Sequence, residues 1–214
     1  MKTSHFLAVL LSLSASAYSV AQAPDKRFEA QASLGILNNS TLIVAELDQV
    51  SNEQDMAFTF HAKLAGQWQA RPALKLQGAY LFARKDYQQF DGYDLDLHQV
   101  YVDGQYDFAA LSVGIRHDFA YAILQDQAFL RLNQSSLYAA KYITPTTYLR
   151  SAFNYKTKHF DSMNARDATN QGVGLNLFQF FNQGSTMLSL GLNVEKEQAV
   201  DTQFDFNANS LSAG

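Results

Sequence analysis

From Phe28 onward the chain alternates apolar and polar residues with a period of two. That period belongs to strands with one apolar and one polar face. Phe28, Ala30, Ala32, Leu34 and Ile36 interleave with Glu29, Gln31, Ser33 and Gly35. Phe58, Phe60, Ala62, Leu64 and Trp68 interleave with Thr59, His61, Lys63 and Gln67. Further strands carry Leu74, Leu76, Tyr80 and Phe82, then Val100, Val102, Tyr106 and Phe108, then Leu111, Val113, Ile115 and Phe119. A sixth, around residues 129–142, alternates weakly, and no face is assigned to it. Leu149, Phe153 and Tyr155 mark the seventh, Val173, Leu175, Leu177 and Phe181 the eighth, and Leu188, Leu190, Leu192 and Val194 the ninth. A tenth begins near Phe204 and stops at Gly214, about halfway along its length, which reads as a truncated last strand.

The connections carry a second pattern. Residues 69–72 (QARP), 107–110 (DFAA), 144–146 (TPT) and 182–185 (NQGS) are short turns. Residues 38–55, 85–94, 159–171 and 195–203 are long and polar, with a modest connection at 120–127. Long and short alternate strictly. This predicts an all-β, up-and-down antiparallel transmembrane β-barrel of about ten strands, with short turns at the periplasmic end and long loops outside. A soluble barrel with an apolar lumen is the structural rival. The even strand count, the turn asymmetry and the aromatic strand ends (Tyr80, Phe82, Tyr106, Phe108, Tyr155, Phe181) favour the membrane version.

Composition sharpens this picture. Charged residues make up 17%, below the roughly 25% of an average soluble domain. Sixteen Phe and eleven Tyr accompany a mean hydropathy of −0.19, as expected when only one face of each strand meets lipid. The net charge of −4 argues against a nucleic-acid partner. With no Cys, disulfides and thiolate metal sites are excluded. Residues 1–21 read as a secretory signal: Lys2 supplies the positive charge, residues 6–13 (FLAVLLSL) the apolar run, and Ser19 and Ala21 the small residues before cleavage. Residues 22–214 are then the barrel domain. No later stretch approaches 18 continuous apolar residues, so a membrane location requires a closed barrel.

The last third carries Lys158, Phe160 and Asp161 (KxFD), Arg166–Asp167–Ala168 (RDA), the aromatic strand end 178–181, LGLNVEKEQA from Leu190, and Phe204–Asp205–Phe206 (FDF). With the middle segment YQQFDGYDLDLH (87–98), it resembles the barrel domain of surface lipoprotein assembly modifier proteins and their short stand-alone relatives. The resemblance implies an outer-membrane barrel and, from the larger members, assistance in moving lipoproteins to the cell surface. Those members carry a periplasmic helical repeat domain that is not found here. The motifs are strand and loop patterns, and no ligand-contacting residue transfers.

Candidate chemistry is sparse. Asp94, Asp96 and His98 share one face near the outer end of strand four, and with Asp161 and Asp167 across the rim they would form a water-activating hydrolase site. Asp48, Glu53, Asp55, Asp91, Asp161 and Asp201 make the outer loops acidic, for solvation or for divalent-ion bridges to lipopolysaccharide. Lys63, Lys75, Arg116, Arg150, Lys156, Asp103, Asp107 and Glu195 are lumen candidates of mixed sign, expected to pair and plug a barrel with little free bore. His61, His98, His117 and His159 lie on different strands without ligand spacing. No cofactor, metal or catalytic residue is expected. The expected partners are outer-membrane lipid, lipopolysaccharide and the barrel assembly machinery. The expected role is structural or binding through the outer loops; the alternatives are a narrow transport or secretion-assisting barrel and, last, the rim hydrolase.

Overall fold

A computed structural model describes residues 15–17, 26–39, 42–44, 49–51 and 55–214. Apart from Ala15–Ala17, the expected signal lies outside them, as do Asp48 and Glu53. Ten long strands follow one another in chain order: β1 (Lys26–Asn39), β2 (Asp55–Arg71), β3 (Leu74–Tyr87), β4 (Leu95–Asp107), β5 (Ser112–Leu124), β6 (Gln127–Thr144), β7 (Thr147–Phe160), β8 (Ala168–Phe181), β9 (Thr186–Ala199) and β10 (Phe206–Ala213). Each pairs antiparallel with the next in a single sheet. The segments Leu42–Val44 and Gln49–Ser51 form a small separate hairpin in the connection from β1 to β2. Among the described residues the ladder ends at two edges. β10 pairs with β9 alone, and the outer edge of β1 carries the short segment Ala15–Ala17 against Ala32–Ala30. No described helix is long and apolar enough to cross a membrane.

The alternation places large apolar side chains on one face, where Phe28, Leu64, Val102, Ile115, Leu137, Val173 and Val194 are all exposed. The opposite face is polar or small. One continuous rung of it reads Arg27, Gln67, Gln77, Asp103, Arg116, Ser136, Asn154, Gly172, Glu195 and Ala208 from β1 to β10. This face is concave: residues from β5 through β10 line one common cavity on it.

Two expectations are corrected. The connection at 120–127 is no loop: β5 and β6 meet in a two-residue turn, Gln125–Asp126, with φ of 51° and 57°. Paired positive φ values match the twist of flanking strands, but neither residue is the Gly or Asn that signals such a turn. The strict long–short alternation therefore breaks there. Strands also run further than expected into the long connections, so that Lys85 to Tyr87, Ala168 to Gln171 and Lys196 to Ala199 belong to ladders.

The weak sixth strand has a physical cause. Ala122 faces Leu130 while Ile123 faces Ala128, which leaves Phe129 as an extra residue. At the other end Thr147 faces Thr144 while Tyr148 faces Tyr142, which leaves Ile143 extra. Each such bulge reverses the parity of alternation. Hence Phe129 and Leu130 are buried side by side, and Tyr142 and Ile143 are exposed side by side.

Near the long loops the concave face turns apolar. Ala122, Phe129, Leu130 and Phe160 form a buried cluster, with Leu95, Leu97, Leu124 and Met163 packed against it. Phe129 meets Phe160 edge-on, ring centroids 5.7 Å apart.

Candidate functional site

Three loops at this end are built the same way. Each is a short 3₁₀ turn, Asp91–Tyr93, Asn164–Arg166 or Thr202–Phe204, followed by an aspartate. Asp94, Asp167 and Asp205 each close their turn by a backbone N–H bond to its first carbonyl. Each also accepts a hydrogen bond from the strand before the loop: Asp94 from Tyr87 N, Asp167 from Phe160 N and Asp205 from Ala199 N, all at 2.7 Å. A short polar side chain satisfies a backbone donor that the end of the ladder would leave open. Asp55 does related work from β2. It is 2% exposed and accepts from Gln89 N and Phe90 N at 3.0 and 3.1 Å, which ties down the β3–β4 loop. It is therefore not a solvated loop acid. Burial raises the Asp94 carboxyl above its ordinary value, partly opposed by the Tyr87 N–H bond.

The rim constellation is dispersed. Asp94 caps its loop, Asp96 meets Arg84 at 3.4 Å, and His98 is hydrogen-bonded to Tyr80 Oη at 2.7 Å. Asp161 pairs with Arg131 at 2.7 Å and Asp167 with His159 at 2.6 Å. Asp96 and His98 share a face with Val100 and Val102, the apolar face, rather than pointing into the concave one. Among the described residues no group of three or more His, Cys, Asp or Glu comes together to hold a metal ion. Asp91 and Asp161 are exposed, while the Asp201 side chain accepts from Gln203 N.

The motif residues of the last third converge on one knot. Lys158 pairs with Glu197 at 3.0 Å and lies 5.9 Å from the Phe206 ring centroid. The Arg166 guanidinium covers the Phe204 ring at 4.4 Å. Val200 N and Asp201 N donate to the carbonyls of Asp167 and Ala165, which joins the β7–β8 loop to the β9–β10 loop. These residues hold the loop end together.

The concave face holds half of the lumen candidates in ion pairs: Lys63–Glu29 at 3.3 Å, Lys75–Asp107 at 2.8 Å and Arg116–Asp118 at 2.6 Å. Asp103 is buried and accepts from Tyr138 Oη at 3.0 Å and Gln77 at 3.3 Å. Lys156 and Glu195 make no ion pair with any described residue. Arg150 stacks on Tyr138, its guanidinium carbon 4.3 Å from the ring centroid. Sequence reasoning missed Tyr138, because the bulges of β6 hid its face. It missed Lys158 and Glu197 as a pair because the end of β9 that carries Glu197 was read as loop, residues 195–203. The signal was present in the i, i+2 spacing of Lys156 with Lys158 and of Glu195 with Glu197.

A cavity of about 370 Å³ opens on this face between β5 and β10, lined mainly by amide, hydroxyl and guanidinium groups. A second hollow, of about 630 Å³, lies on the apolar face, where Gly66, Gly78 and Gly104 leave room between Phe28, Trp68 and Ile115. The chain matches no protein-family model and no curated protein sequence.

Proposed function

We propose that this chain is an exported outer-membrane β-barrel whose apolar face meets lipid, whose concave face is the lumen, and whose long loops are an interaction surface. One observation carries the reading: the boundary of the apolar belt crosses the hydrogen-bonded ladder obliquely. On the rung of Leu34 the apolar residues end at Phe60 on β2, and Arg84 and Asp96 follow. Two residues lower, the rung of Ala32 stays apolar through Phe82 on β3, and His98 follows. The next rung down stays apolar through Phe119 on β5, and Asn133 follows. The rung of Phe28 stays apolar through Val102 on β4, with His117 on β5 the first polar residue beyond it, and the rung of Trp68 stays apolar through Val194 on β9, with Asn209 beyond it.

From Arg84 on β3 to Asn209 on β10 the boundary falls eight residues in seven strands. At about 3.3 Å per residue and 4.8 Å per strand, that slope is about 38°. A belt perpendicular to a barrel axis needs strands tilted by about 35–45°. A soluble sheet has no reason to tilt its apolar pattern by this angle. The resemblance to surface lipoprotein assembly modifier barrels points the same way. A second reading, a narrow transport or secretion-assisting barrel, is favoured by the unfilled polar cavity on the concave face. In this reading the partners are outer-membrane lipid and lipopolysaccharide.

The test is fractionation of the expressed protein combined with a heat-modifiability gel. Recovery in the outer membrane, with a folded band that shifts on boiling, is the expected result. Recovery in the soluble periplasm would overturn the reading. Conductance in planar bilayers then separates a transport barrel from a sealed one.

A further inference from the structure

The cavity on the concave face exists because one wall is missing its side chains. Ala152, Gly174 and Gly191 face it from β7, β8 and β9. A Cβ on Gly191 would lie 2.6 Å from Ser212 Oγ and 3.0 Å from Asn176 Oδ1, so glycine lets those polar groups close in. A Cβ on Gly174 would meet only Asn193 Oδ1 at 3.5 Å and a carbonyl at 3.9 Å, so that position faces open room. A barrel of this size is ordinarily filled by its own side chains. Here a pocket is left, and its charges do not cancel. Arg116 is neutralised by Asp118 through three hydrogen bonds of 2.6 to 3.0 Å. Arg150 has no carboxylate within ion-pair distance among the described residues. Tyr138 covers one face of its guanidinium, and the in-plane N–H donors make no hydrogen bond to a described residue.

The remaining lining adds neutral donors. Asn154 Oδ1 is occupied by Ser136 Oγ at 2.7 Å, while its amide nitrogen bonds to no described residue. The side-chain amides of Asn176 and Asn193 likewise make no hydrogen bond to a described residue. No buried side-chain polar atom lacks a partner among the described residues, so these unbonded amides reach the open space of the cavity. A forked guanidinium facing several N–H and O–H donors, in a concave pocket of net positive charge, is the arrangement that holds an oxyanion.

We infer that this pocket binds a small oxyanion, a carboxylate or phosphate group, with Arg150 as its charged partner and Asn154, Asn176 and Asn193 as neutral donors. The inference deepens the barrel reading and rests on it for the far wall that β1 to β4 supply on closure.

The probe is inorganic phosphate, titrated calorimetrically into the detergent-folded full chain in a chloride buffer. Saturable binding is expected. Arg150→Gln removes the charge and leaves the room. Gly174→Leu leaves the charge and fills the room. Each is expected to weaken binding by at least about tenfold. Absence of saturable heat in the parent protein, or binding that survives both substitutions, overturns the site. The heat shift on a gel is read on the same samples, so that loss of the barrel is seen separately from loss of the site.

Discussion

Gly114 is the position where a single methyl group should do the most damage. It lies on the concave face of β5, opposite Tyr138 of β6. A Cβ added there would fall inside the van der Waals shells of the Tyr138 Cζ and Oη atoms and 2.8 Å from Cε1. Tyr138 is 5% exposed, so the ring has no free space to enter. Its hydroxyl reaches over Gly114 to Asp103 on β4, and its face carries the Arg150 guanidinium. Gly114→Ala therefore forces the ring off its seat. Overpacking costs about 1–3 kcal/mol, and loss of a hydrogen bond to a charged acceptor about 1.5–3 kcal/mol. Together these give an expected loss of about 3–5 kcal/mol. Urea unfolding of the folded protein in detergent or liposomes reads this as a lower midpoint at unchanged slope. In a Tyr138→Leu background the methyl group has no ring to displace, so the same substitution should cost at least about 2 kcal/mol less. A loss below about 1 kcal/mol in the parent, or an equal loss in both backgrounds, would refute the steric argument.

Other substitutions test the packing at the loop end. Glu197→Ala leaves Lys158, whose side chain is 20% exposed, without its partner, and should cost about 3 kcal/mol or more; Lys158→Met with Glu197→Leu should recover much of that in the same urea assay. Phe160, 3% exposed and edge-on to Phe129, should cost about 3–5 kcal/mol as Phe160→Ala, with protease sensitivity appearing in the β7–β8 loop. For Asp94 the sign follows from its raised folded value. Below the unfolded value both states are protonated and ionisation costs nothing; as pH rises through the window between unfolded and folded values, the folded state loses stability relative to the unfolded one. Asp94→Asn keeps an oxygen for Tyr87 N, so its melting temperature should equal the parent's in acid and exceed it at neutral pH.

Much of this fold was legible in the sequence because a period of two survives wherever a strand is regular. β1, β2, β8 and β9 showed both faces plainly. β6 did not, since a bulge at each end moves the apolar residues to the other parity, and Phe129 and Ile143 stand where the pattern should reverse. The turn at Gln125–Asp126 lies inside the predicted connection 120–127, but its tightness was not legible, because it carries its first positive φ on Gln125, where neither Gly nor Asn marks it. The candidate chemistry was legible by residue type and misleading by role. Asp94 and Asp167 entered the rim hydrolase alternative, ranked last, because sequence shows their charge and not the backbone N–H each one accepts. The unpaired state of Arg150 could not be read at all, since it depends on which lumen charges find each other across strands.

The oblique belt makes a further demand that can be checked directly. Ala208 on β10 sits on the same rung as Arg27 on β1, traced strand by strand through Glu195, Gly172, Asn154, Ser136, Arg116, Asp103, Gln77 and Gln67. A sheet curled shut without tilt would bring Ala208 to Arg27. Strands tilted by the slope of the belt return the ladder about ten to twelve residues higher on β1. That is Leu37, which keeps the concave parity of Ala208, or position 39, two residues on. The chain has no cysteine of its own, so introduced pairs report without background. Ala208→Cys with Leu37→Cys or with Asn39→Cys should form a disulfide in the folded protein, because paired strands bring their Cβ atoms within bonding reach. Ala208→Cys with Arg27→Cys should not, since about ten residues of strand, roughly 33 Å, would separate the two thiols. Cross-linking at Arg27 would leave a closed sheet but remove the tilt, and with it the argument that the belt lies flat in a membrane. Cross-linking at none of the three would leave the two edges of the sheet apart and remove the barrel itself.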